Sequence, residues 1–104
     1  MAQAVDAHAL LVRSSPPKRA VLRDSPKQVE LWFSERLEPA FASVTVSDRA
    51  GATYGTGSPV VSGDDRRHLR LELPTLPPGT YTVRFRVLSV DGHIAEESFT
   101  FTIR

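Results

Sequence analysis

Residues 76–93 read LPPGTYTVRFRVLSVDGH. From Tyr81 onward the apolar side chains occupy every second position. Tyr81, Val83, Phe85 and Val87 share one face, and Thr82, Arg84 and Arg86 the other. That period belongs to a strand buried on one side. Pro78-Gly79 supplies a turn just ahead of it. Two readings fit the tyrosine that follows. One is a tyrosine corner, in which the phenol hydroxyl ties back to the preceding connection; the other is a plain Pro-Gly turn beside a core tyrosine. Both place the stretch in a β-sandwich.

The same alternation recurs on either side. VELWFSE (29–35) puts Val29, Leu31 and Phe33 on one face. HLRLELP (68–74) does so with Leu69, Leu71 and Leu73, and SFTFTIR (98–104) with Phe99, Phe101 and Ile103. Weaker strands fit 9–14, 42–48 and 53–61. Helical periodicity is weak, and there is no internal repeat or linker. About seven strands in this length predict an all-β, immunoglobulin-like Greek-key sandwich, built as a single domain over 8–104.

Composition removes several classes of function. The chain has 104 residues, 40% hydrophobic and 24% charged, with a net charge of +1. Without a basic or acidic block, nucleic acid and acidic membranes are poor partners. There is no cysteine and the only methionine is Met1, so soft ligands are missing. No run reaches the length of a membrane span. Residues 1–7, MAQAVDA, are read as a leader remnant or as residues added for expression. Val5 and Ala7 stand where signal peptidase reads small side chains, which predicts cleavage before His8.

Strand parity then locates the loops. If each strand runs opposite to the one before, the start of the first strand lies at one end of the sandwich. The second–third, fourth–fifth and sixth–seventh connections lie there too. This gathers His8, Glu35 and Glu38, and the turn Asp91-Gly92-His93 at one pole. Asp91-Gly92 is first of all a tight-turn signal. If the backbone there is extended, Asp91 and His93 project to the same side. An amino-terminal His8 offers its amine and its imidazole to one metal, and the amine deprotonates not far above neutral pH. With His93 and Asp91 this makes a nitrogen-and-oxygen set that suits square Cu(II), although Zn(II) also accepts such ligands. His68 falls on a polar strand face and reads as a structural or solvated histidine.

Three blocks carry a resemblance to a known family. HALLVRSSPP (8–17), VELWFSERLEPAFASVTVSD (29–48) and LPPGTYTVRFRVLSVDGH (76–93) resemble the CopC family of periplasmic copper-resistance proteins. Phe85 stands where that family usually has tryptophan. The resemblance implies a periplasmic, non-enzymatic and monomeric Cu(II) carrier or buffer in copper resistance. Its ligands would be His8, Asp91 and His93, with Glu35 as a nearby acceptor that orients an imidazole. A CopD-type inner-membrane copper transporter or another periplasmic copper protein would be the partner. Some members carry a methionine-rich Cu(I) loop, but the corresponding stretch, 48–65, has no methionine or histidine. The single-site Cu(II) type is therefore expected. A metal-free immunoglobulin-like interaction module and a terminal-histidine copper oxygenase are the alternatives.

Overall fold

A computed structural model describes residues 11–104. The strands are β1 (Leu11–Ser15), β2 (Val21–Leu22), β3 (Gln28–Phe33), β4 (Ser43–Ser47), β5 (Thr53–Tyr54), β6 (Thr56–Ser62), β7 (His68–Glu72), β8 (Gly79–Leu88) and β9 (Ile94–Ile103). The helical element among the described residues is one 3-10 turn, Pro39–Phe41, between β3 and β4. One sheet has the order β1-β3-β7-β6 and the other β2-β9-β8-β4-β5.

Nine strands replace the seven expected, for a simple reason. β1 and β2 run in the same direction but pair in different sheets, β1 with β3 and β2 in parallel with β9. They are one edge strand that changes sheets at Pro16-Pro17, where two residues without an N–H interrupt the ladder. β5 and β6 likewise form one strand, which leaves β4 for β7 at Gly55. Gly55 sits at φ 143°, a conformation that favours glycine. With these two pairs merged, the antiparallel alternation holds throughout. β9 also begins earlier than the apolar alternation suggested. Its first half is exposed apart from the half-buried Ala95, yet it pairs with β8 over ten positions, from Leu88↔Ile94 to Gly79↔Ile103.

The alternating apolar positions fill the space between the sheets. Val29, Leu31, Leu69, Val46, Val83 and Phe101 are fully buried, and Phe33, Leu71, Tyr81, Phe85, Val87 and Ile103 nearly so. Phe33 meets Phe85 edge-on at 5.2 Å across the layers, and Tyr81 stacks on Phe101 at 5.5 Å. Each such side chain contributes about 1.5–3 kcal/mol through burial. The Tyr81 hydroxyl donates to the Pro77 carbonyl at 2.5 Å, so the tyrosine corner is the correct one of the two readings. Burial raises the Tyr81 phenol above its ordinary value.

Candidate metal centre

Three connections meet at the pole where β3, β6 and β8 end. Leu37, fully buried, anchors the first of them, 34–38, in the core. Its backbone bridges Ser89, Glu38 N–H donates to the Leu88 carbonyl (2.8 Å), and Val90 N–H donates to that of Arg36 (3.0 Å). Segment 63–67 packs behind, where the carbonyls of Arg67 and Arg66 accept from the Phe33 and Leu37 N–H groups at 2.9 and 3.0 Å. β1 opens at this pole, because Leu11 pairs with Phe33. The loop gathering read from strand parity is therefore present among the described residues. His8 lies outside them.

The β8–β9 turn carries two of the residues expected as ligands, Asp91 and His93. Gly92 N–H donates to the Ser89 carbonyl at 2.9 Å, and Ser89 N–H to the His93 carbonyl at 2.8 Å. Gly92 at φ 94° closes this three-residue loop. With open space where a Cβ would stand, the need for glycine is conformational and not steric. Asp91 and His93 are thus brought together by a turn, and not by the locally extended backbone that the sequence suggested. Asp91 Oδ1 stands 3.1 Å from His93 Nδ1, and the two side chains are 41% and 54% exposed.

That distance serves two chemical states. Without metal, Nδ1–H donates to the carboxylate. With a metal, two donors about 2.0 Å from one ion and at right angles would stand about 2.8 Å apart, a few tenths of an ångström inside the observed spacing. The Asp91 carboxyl is held below its ordinary value. The first cause is the hydrogen bond from the Ser89 hydroxyl; partial desolvation opposes it, and His93 adds to it. No group of three histidine, cysteine, aspartate or glutamate side chains suited to a metal occurs among the described residues. Glu35 is half-buried in the 34–38 connection and does not complete such a group with Asp91 and His93.

His68 has a different job. It stacks on Trp32 at 4.8 Å, takes Ser62 Oγ at 2.6 Å on Nδ1, and stands 3.4 Å from Glu30. Arg13 covers the other side of Trp32 at 4.2 Å. This row spans the outer face of the four-stranded sheet, and His68 is structural there. A shallow depression of about 540 Å³ follows the edge of β1 past Leu11, Arg13 and Lys18. It contains neither Asp91 nor His93, and an ion held at a hairpin tip needs no cavity.

Two residues of the pole were missed in the sequence. Leu37 stands among Ser34, Glu35, Arg36 and Glu38, with no apolar alternation to mark it. Ser89 follows Tyr81, Val83, Phe85 and Val87 on the inward parity, and that was the available signal.

The CopC domain family matches residues 11–104, which is nearly the whole chain and includes the donor hairpin. The chain belongs to the CopC family. The crystal structure of CopC from Methylosinus trichosporium OB3b superposes with a TM-score of 0.86 and 40% identity, over 92% of this chain and 93% of that one. PcoC, a methionine-rich copper resistance protein from Escherichia coli, gives a TM-score of 0.79 at 25% identity, over 94% of this chain and 100% of that one. Protein YobA of Escherichia coli K12 is 32% identical over 99 residues, 94% of this chain and 80% of its own. CopC membership agrees with the all-β sandwich and places this chain in a copper-resistance family. In this CopC domain the hairpin of Asp91 and His93 sits on the two longest strands among the described residues, β8 and β9, which hold its base.

Proposed function

We propose that the chain captures one Cu(II) ion in the periplasm and hands it on, as a carrier or buffer without catalysis. The observation that supports this most is the Asp91–His93 pair, 3.1 Å apart at the pole where β1 begins. Cleavage after Ala7 would make His8 the first residue, three places before Leu11. Its amine and imidazole would then supply the donors that the described residues lack. Four nitrogen and oxygen donors in a plane suit Cu(II). Glu35, in the connection clamped to the donor hairpin, is the candidate acceptor for a ring N–H of a bound imidazole. Unlike the methionine-rich PcoC, the chain has no methionine beyond Met1, which argues against a Cu(I) site.

The partner fitting this role is a CopD-type inner-membrane copper transporter or another periplasmic copper protein, which a monomeric carrier would meet at the donor pole. The test is stoichiometric. Protein beginning at His8 takes up one equivalent of Cu(II), and protein retaining residues 1–7 binds far more weakly, because the His8 nitrogen is then an amide. Equal affinity for both forms would remove His8 from the site.

A further inference from the structure

Among the described residues, the core takes in one polar side chain, Ser89, 1% exposed. A hydroxyl at such a position is costly unless hydrogen-bonded, so its partners are informative. Ser89 Oγ donates to Asp91 Oδ1 and accepts from the His93 N–H at 3.3 Å. It also lies 3.2 Å from the His93 carbonyl, but its single proton goes to the carboxylate. Every hydrogen bond described for this hydroxyl therefore ends on Asp91 or His93. The serine itself is anchored, since its backbone bridges the buried Leu37 and its N–H donates to the His93 carbonyl.

We infer that Ser89 is the positioning residue of the metal pair. This rests on reading Asp91 and His93 as Cu(II) donors. Asp91 is on an exposed turn, where an unrestrained carboxylate samples several rotamers. A hydroxyl donated from inside the core selects one of them and sets the spacing between Oδ1 and the His93 ring. The donors are then held in place before the ion arrives. Removing an outer partner of a metal ligand typically lowers affinity about 10- to 100-fold.

The experiment compares wild type, Ser89→Ala, Ser89→Thr and His93→Ala, all beginning at His8. Cu(II) affinity is measured by chelator competition, and the site by electron paramagnetic resonance. In metal-free protein, NMR couplings report the χ1 rotamers of Asp91 and His93. Ser89→Ala is expected to lose about 10- to 100-fold in affinity and to give an altered or heterogeneous Cu(II) spectrum with averaged Asp91 couplings. Its thermal transition should remain single and cooperative. Ser89→Thr keeps the hydroxyl and restores the wild-type spectrum. If Ser89→Ala binds with wild-type affinity and spectrum while His93→Ala is impaired, the role of Ser89 falls and the Cu(II) reading stands. If His93→Ala also binds normally, both fall. Metal-free wild type in which Asp91 already averages among rotamers overturns the inference without any variant, so a folding failure of Ser89→Ala leaves it testable.

Discussion

Each pole of the sandwich holds one aspartate with a lowered carboxyl, and the two are held by different neighbours. Asp48 follows β4 at the pole away from the donor hairpin. Its Oδ1 accepts from the Ala50 and Ala52 N–H groups, both at 2.9 Å, and its Oδ2 from the Tyr54 phenol at 2.7 Å. The phenol bond is the first cause of its lowered value. Backbone amides and a phenol occupy both oxygens, so this carboxylate is a turn-former. Asp91 is held from its own hairpin, by a buried hydroxyl and an imidazole. The contrast teaches that a depressed carboxyl alone does not mark a metal site. What separates the two is the neighbour, because an imidazole has a nitrogen lone pair able to bind a metal and an amide N–H has none.

One way to break this comparison is to strike what the poles share. Phe101 is fully buried in the core on which both poles rest, towards the Asp48 pole, and stacks on Tyr81. Phe101→Ala is expected to cost about 3–5 kcal/mol, and chemical denaturation followed by probes at both ends should show one transition. Separate transitions would mean that the poles are independent units.

Next in size is the donor pair itself. His93→Ala should weaken Cu(II) binding by more than about 100-fold, beyond the loss usual for an outer partner, whereas Asp48→Asn should leave it unchanged. A copper titration in which both variants lose affinity would erase the distinction between the two aspartates.

A smaller effect sharpens the structural side. Tyr81→Phe removes the hydroxyl that reaches Pro77 and should lower stability by about 1 kcal/mol, with copper uptake intact. Loss of copper binding in that variant would show that the far pole governs the donor hairpin.

The smallest effect is a pH dependence. Because the carboxyl of folded Asp48 lies below its ordinary value, its contribution is present above the ordinary carboxylate range. It is lost as pH falls through the lowered value. Asp48→Asn should therefore melt at a lower temperature than wild type near neutral pH, and the gap should close on acidification. A gap that widens in acid would reverse the assignment.

Much of this was legible in the chain itself. Period-two alternation identified all four principal strands, because burial of one sheet face imposes it residue by residue. The tip residues Asp91 and His93, and their shared pole with Glu35, followed from strand parity. Other features were hidden. The sheet switches at Pro16-Pro17 and Gly55 split two strands without disturbing the apolar pattern. The first half of β9, IAEES, is stabilised by backbone pairing with β8 and carries no apolar alternation. Leu37 is buried only because its connection folds back onto the hairpin.

The alternation of apolar and polar side chains, the turn residues and the donor types were properties of the sequence alone, since each depends on neighbours a few positions away. Which atoms meet was decided by the tertiary structure. The 3.1 Å approach of Asp91 to His93 depends on a left-handed glycine in the turn. It depends equally on a serine whose hydroxyl finds no partner in the core except through that turn, and only packing creates such a constraint.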